Sequence, residues 1–113
     1  MPTTNGTLPA NQLTRLQDAI RRLSGCESKH LETVSVSESL RSFKQNANWA
    51  GEVAVFEIYG HPQAKRAYAW SSQLPNKEMR YVVVLEVPPI SSPHTAVQAA
   101  LAAQIAKGTY SEG

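Results

Sequence analysis

The feature that most constrains the fold is a succession of three β-rich segments, at residues 52–59, 64–71 and 80–87. Turn-forming glycine, proline and asparagine residues separate the segments from one another. A parallel pair of neighbouring strands needs a crossover of about a dozen residues or more, and these connections are shorter. The three segments therefore predict antiparallel strands, each joined directly to the next.

A helix is predicted on each side of this region. In the first, at about residues 9–24, four apolar residues recur at helical spacing: Leu13, Leu16, Ile20 and Leu23. Gly25 follows, and a glycine at this position can adopt the left-handed backbone conformation that ends a helix. The second helix is predicted over residues 94–107 and is apolar on nearly every side, since Lys107 is its only formal charge.

Residues 31–45 fit two different structures. Val34 and Val36 alternate with serines, as in a half-buried strand. Val36, Leu40 and Phe43, however, fall at helical spacing behind a capping-box pattern. We expect a strand through about Leu40, because a helix here would have only about two turns, which is marginal on its own.

Together these elements predict an α+β fold. It is a four-stranded antiparallel meander with the N- and C-terminal helices packed on one face, in the order α-β-β-β-β-α. The length of 113 residues suits one domain. We place that domain at residues 8–108, between a flexible leader at residues 1–7 and a flexible tail at residues 109–113.

The predicted sheet is apolar on both of its faces. A one-sided antiparallel sheet alternates apolar and polar residues, but here valines occupy both sides of two strands. If both helices cover the same face, an apolar patch faces outward, formed by Val53, Val55, Val82 and Val84. We expect this patch to be the interface of a homodimer. The alternative reason for the valines is β propensity alone.

Composition and motifs limit the cellular compartment and the kinds of functional site that we expect. The single cysteine, Cys26, excludes a disulfide scaffold and suits a reducing compartment. The N-terminal residues lack the pattern of a secretory signal, and uninterrupted apolar runs, such as that at residues 81–85, are far too short for a membrane span. A glycine-rich phosphate loop, a histidine pair at metal spacing and a nucleophile elbow are all missing from the sequence. We therefore expect a cytoplasmic protein with no cofactor, no metal and no membrane partner.

The first candidate binding residues lie in the predicted turn at residues 60–66. His61 is close in sequence to Lys65 and Arg66, so this loop could contact an anion, helped by its backbone N–H groups. The alternative is purely structural, because His61 stands between a glycine and a proline and suits a turn.

The second candidates follow on the next strand, where Arg66, Tyr68 and Trp70 share a face. This arrangement could stack a base, a sugar or an aromatic ligand. Alternatively, aromatic residues in a central strand belong to the core. Nucleic acid is not the expected partner, because the net charge is only +2 and the chain has no concentrated basic patch.

The order of helix, strands and helix resembles that of the double-stranded-RNA-binding domain, which has three strands. Membership of that family would imply a lysine-rich cluster that binds phosphates at the start of the second helix. The matching stretch here, residues 91–98, contains no lysine. The resemblance therefore covers topology and does not imply RNA binding.

These observations favour a binding role without catalysis. We expect a small non-catalytic binding or accessory module that forms a homodimer through its apolar sheet face. One alternative is a weak nucleic-acid-binding protein that uses Lys65, Arg66, Tyr68 and Trp70. A second alternative is a small enzyme with a pocket between helices and sheet, and with His61 or a glutamate as its base.

Overall fold

The computed structural model describes residues 9–41, 46–73 and 77–107. These residues form, in chain order, α1 (Ala10–Ser24), β1 (Glu27–Arg41), β2 (Asn46–Tyr59), β3 (Arg66–Gln73), β4 (Met79–Leu85) and α2 (Pro93–Lys107). The four strands make one antiparallel sheet in the order β1-β2-β3-β4. The predicted α+β fold and its α-β-β-β-β-α order are therefore confirmed. The predicted leader at residues 1–7 and tail at residues 109–113 lie outside the described residues.

Helix α1 forms and ends as its sequence predicts. Its apolar stripe buries Leu16 and Ile20 completely. Gly25 adopts a left-handed conformation with φ 74°, and its N–H donates to the Arg21 carbonyl oxygen at 2.8 Å. A side chain at this φ would be strained, so the glycine ends the helix and turns the chain toward β1.

The ambiguous segment after α1 is a strand, as expected. Strand β1 runs from Glu27 to Arg41 and pairs with β2 in a long hairpin whose register shifts once, between His30 and Glu32. Residues 42–45 lie outside the described residues. Pairing along the hairpin determines the conformation, because every residue of β1 except Leu31 has a partner on β2, whereas an isolated short helix would have no such support.

Strands β2 and β3 pair over a shorter stretch, from Ala54 opposite Ala69 to Glu57 opposite Arg66. Aromatic side chains pack beside the rest of β2. The Trp49 indole lies so close to Gly51 that an added Cβ would come within 2.8 Å of it. The ring centroids of Trp49 and Trp70 are 5.6 Å apart. This aromatic pair belongs to the cluster beneath α2.

The two helices lie on opposite faces of the sheet, so the prediction that they share one face is wrong. Leu16 and Ile20 of α1 pack in one cluster with side chains from one face of β2, namely Ala54, Phe56 and Ile58. Val97 and Leu101 of α2 pack in a second cluster with Val53 and Val55 from the other face. The physical reason is the sheet itself: apolar side chains on both faces need cover on both.

The outward-facing apolar patch predicted from the valines is therefore wrong as well. Val53 and Val55 are 0% and 1% exposed, because α2 covers them. Val82 and Val84 are half-buried and pack against the same cluster. A homodimer through this face would have to displace α2, so the face does not provide the expected interface.

The start of α2 is anchored to β1 by a polar contact. The Glu38 carboxylate lies 2.7 Å from His94 Nδ1 and accepts a hydrogen bond from Gln98 Nε2 at 2.9 Å. The contact with His94, followed by that with Gln98, lowers the pKa of Glu38 below its ordinary value. This anchor fixes where α2 begins above the sheet.

Val55 lies on the sheet face that α2 covers. We therefore expect Val55→Thr to destabilise the protein by about 1–3 kcal/mol, because the substitution buries a hydroxyl without a hydrogen-bond partner. The measurement is the free energy of unfolding from urea titrations. Glu57→Thr is the control, since Glu57 lies on the same strand and face but is exposed, and it should leave that free energy nearly unchanged. An equally small effect of Val55→Thr would contradict the two-sided fold.

The Glu38 anchor predicts a loss of stability in acid. An unfolded glutamate has a pKa of about 4.3 and the folded Glu38 a lower one, so the unfolded state binds more protons between the two values. The stabilisation from Glu38 is therefore present above the unfolded pKa and is lost as pH falls through the folded pKa. Urea unfolding of wild type and Glu38→Gln at a series of pH values measures it. A difference between the two proteins that does not shrink in acid would contradict the anchor.

Candidate binding site

His61 stabilises the turn between β2 and β3. Its Nδ1 accepts hydrogen bonds from the backbone N–H groups of Gln63 and Ala64, at 3.0 and 2.9 Å. Gly60 precedes it with φ 88°, a conformation that favours glycine. Because its Nδ1 is committed to the loop backbone, the structure gives His61 the turn role that was the alternative to anion binding.

Lys65 and Arg66 are exposed at the end of this turn, but Arg66 has acidic neighbours. Arg66 stands opposite Glu57 of β2, and its carbonyl oxygen accepts the backbone N–H of Glu86 on the other side. Arg66 is thus flanked by two glutamates in one row across the sheet. This row offsets its charge, which weakens the basic site predicted for phosphate contact.

Tyr68 and Trp70 are not available for stacking on a ligand. They are 1% and 3% exposed, because they point toward the face that α2 covers. Trp70 packs against Trp49. The expectation that Arg66, Tyr68 and Trp70 form one binding surface is therefore wrong for both aromatic residues, and the core alternative is confirmed.

The Tyr68 hydroxyl has a structural partner. It donates a hydrogen bond to Glu86 Oε2 at 2.5 Å. Burial, followed by this bond to a carboxylate, raises the pKa of Tyr68 far above its ordinary value. Tyr68 is thus a protonated donor that ties the end of β4 to the centre of the sheet.

The second alternative, a small enzyme, requires a pocket between the helices and the sheet. Because α1 and α2 lie on opposite faces, they do not enclose such a pocket together over one face. A cavity of about 200 Å³ lies beneath α2 and is lined by Asn48, Trp49, Trp70, Ser72, Val97, Ala100, Leu101 and Gln104. These side chains include no histidine or carboxylate that could act as a base. Within residues 9–41, 46–73 and 77–107, no group of three or more histidine, cysteine, aspartate and glutamate side chains could hold a metal ion.

The clearest open site lies along β4, the last strand of the sheet. A groove of about 570 Å³ runs beside it, with residues 80–84 of β4 as its floor. One wall is Ala19 and Leu23 of α1, and the other is formed by α2 through Ala99, Ala100, Ala103 and Gln104. The helices on opposite faces therefore frame the β4 edge, where the sheet ends among the described residues.

The backbone of β4 presents to this groove hydrogen-bonding groups that no other described strand pairs with. The Glu86 N–H donates to Arg66, and pairs in an antiparallel ladder alternate, so Val84 and Val82 also bond toward β3. The backbone N–H and C=O groups of Tyr81 and Val83 consequently point away from β3, toward the open edge. A strand docked in the groove could bond to them.

The two edges of the sheet differ in protection. Strand β1 carries five charged residues and an irregularity in its pairing, both of which discourage further strands from adding. Strand β4 has the sequence MRYVVVL, with one charge and with neither proline nor lysine. Strand β4 therefore lacks the features that usually block an edge.

A second groove of about 660 Å³ continues the first along α1 and is positively charged. It is lined by Arg15, Asp18, Ala19, Arg22, Leu23, Met79, Arg80 and Tyr81. Leu23 and Met79 are 61% and 48% exposed, large values for apolar residues. The Arg80 Nε is buried with no hydrogen-bond partner among the described residues. Apolar surface and an unpaired cation thus lie together beside β4.

Sequence reasoning missed this site although a signal for it was present. Residues 81–85 form an uninterrupted apolar run that is rich in β-branched residues, and in a meander the last strand lies at an edge. The signal is that the last strand of a meander has a neighbouring strand on one side only, which leaves a row of its backbone groups at the edge of the sheet.

Comparison of the chain with protein-family models, curated proteins and solved structures found no match. Among the described residues, neither helix combines the length and apolarity of a membrane span.

The part-buried Tyr68–Glu86 bond predicts that Tyr68→Phe destabilises the protein by about 1.5–3 kcal/mol, the range for hydrogen bonds to charged groups. Tyr59→Phe is the matched control, because the Tyr59 hydroxyl also bonds a glutamate, Glu57, but is exposed. It should leave the free energy of unfolding unchanged. Equal effects of the two substitutions in urea titrations would contradict a structural role for Tyr68.

Proposed function

We propose that this protein is a non-catalytic binding or accessory module that binds an extended segment of a partner as an added strand along β4. One observation carries the proposal: the edge of β4 is unpaired among the described residues and forms the floor of a groove between α1 and α2. Strand addition to an exposed sheet edge is a recurring mode of protein recognition.

The chemistry of the groove supports this mode of binding. Backbone groups of Tyr81 and Val83 supply hydrogen bonds that do not depend on the partner's sequence. Apolar side chains on both walls, including Leu23 and Ala103, would cover alternate side chains of the added strand. Affinity would thus come from the main chain and from apolar burial.

The alternative functions have less support. Binding of nucleic acid through Lys65, Arg66, Tyr68 and Trp70 loses its stacking surface, since both aromatic side chains are buried. Catalysis by His61 has no support from the two grooves beside β4 or the cavity beneath α2, because His61 lines none of the three. We place the module in the cytoplasm, since its single cysteine, Cys26, is a buried free thiol, which suits a reducing compartment.

Val83→Pro tests the proposal directly. Proline removes the outward N–H and places its ring at the edge, but it removes no bond to β3, and proline is tolerated on edge strands. Peptides are first selected from a displayed library of random short sequences, on protein immobilised sparsely so that copies do not meet. We expect Val83→Pro to weaken the selected peptides about tenfold or more, equivalent to one or two lost hydrogen bonds.

A charge on the groove wall provides a second variant that leaves the strand unchanged. Leu23→Glu should weaken the same peptides, and Leu31→Glu is its control, because Leu31 is an exposed leucine of the other edge strand. Circular dichroism verifies that each variant is folded. If no peptide is selected, or if the selected peptides bind Val83→Pro as tightly as wild type, the proposal is wrong.

A further inference from the structure

We propose that the strand bound by β4 is β4 of a second copy of this chain, so that two sheets join into one continuous antiparallel sheet. This inference rests on the proposed function, since it names the occupant of the same edge. The two strands would be related by a two-fold axis through Val83. Such an isologous contact is the commonest way for identical chains to associate.

The backbone of β4 is compatible with pairing to itself about Val83. In this register Val83 lies opposite the partner's Val83, and Tyr81 lies opposite the partner's Leu85. These are the residues whose N–H groups point away from β3. The Leu85 carbonyl oxygen already accepts the N–H of Val87, at 2.9 Å, and retains a second lone pair for the partner.

The side chains of β4 are complementary to themselves in the same register. Val82 meets the partner's Val84, and Arg80 meets the partner's Glu86. Each contact occurs twice because of the two-fold axis, so the dimer gains two apolar pairs and two pairs of opposite charge. Directly opposed pairs of both kinds stabilise antiparallel sheets.

Both charged groups have the free capacity that this pairing requires. Arg80 forms no ion pair with any described residue, and its Nε is unpartnered. Tyr68 occupies Oε2 of Glu86, which leaves Oε1 for an arginine. Tyr68 therefore positions the Glu86 carboxylate near the edge where the second copy would place its arginine.

The helical walls fit a second copy on both faces of the joined sheet. On one face Leu23 of α1, which is 61% exposed, would form part of the wall beside the joined strands. On the other face Ala99 and Ala103 of α2 are exposed and line the groove, and such small residues allow helices to approach closely. A second copy thus accounts for the apolar outer side of α2, which the fold of one chain leaves exposed.

The test measures association by sedimentation equilibrium of the full chain. Wild type should form a dimer at high micromolar concentration, and Val83→Pro should remain a monomer. Arg80→Glu and Glu86→Arg each place two like-charged pairs at the axis, so each should dimerise about tenfold to a hundredfold more weakly.

An equimolar mixture of these two charge variants is the decisive sample. A heterodimer of Arg80→Glu with Glu86→Arg regains opposite charges at both contacts, so mixing should restore association to within about threefold of wild type. A mixture that stays as weak as the separate variants would overturn the register. Circular dichroism identifies any loss of folding in Glu86→Arg, whose substitution also removes the partner of Tyr68.

Cross-linking gives a second measurement that does not depend on charge. Val82→Cys and Val84→Cys are prepared separately in a Cys26→Ala background. In the proposed register these positions face each other as a non-hydrogen-bonded pair about 4.5 Å apart at Cα, within the range of a disulfide. Oxidation of the mixture should give the disulfide dimer between the two variants. A cross-link of Val82→Cys with itself, or none at all, would overturn the register.

The outcomes separate this inference from the function on which it rests. If wild type is a monomer at every concentration but selected peptides still bind in a manner sensitive to Val83→Pro, the second copy is the wrong occupant and the edge remains a binding site. If neither association nor peptide binding is found, both proposals fail.

Discussion

The structure depends on one constraint: a sheet that is apolar on both faces needs a cover on both. Ala54, Phe56 and Ile58 face α1, while Val53 and Val55 face α2. Each helix removes apolar surface from water on its own side, at about 25 cal/mol for each Å². The helices at the two ends of the chain are thus used on opposite sides of the sheet, and neither is left to cover its edges.

The open edge of β4 follows from this division. Faces are covered by side-chain packing, but an edge presents backbone N–H and C=O groups that bind either water or another strand. Strand β1 is protected by charge and by a register shift, whereas β4 is framed by α1 and α2 without being closed by them. An edge left in this state is suited to strand addition, which is why the proposed function concerns the backbone of β4 and not a catalytic side chain.

The candidate residues that sequence reasoning selected were largely explained by the core. Tyr68 and Trp70 lie at the right spacing for a stacking surface, but the same spacing serves packing beneath α2. His61 has the chemistry of an anion contact, yet its ring nitrogen holds the turn together. Residue type and spacing are shared by both roles, so they could not distinguish a site from a packed interior.

The order of elements was determined by the sequence alone, because it depends on local properties: apolar spacing in α1, the stop at Gly25 and short connections between strands. The self-complementary pattern around Val83, with Arg80 and Glu86 on either side, is also a property of the sequence. The face on which each helix packs was decided only by the tertiary structure, since both faces of the sheet are apolar and the local pattern suits either. Which apolar residues are buried and which edge stays open depend on that choice, through contacts between residues distant in sequence.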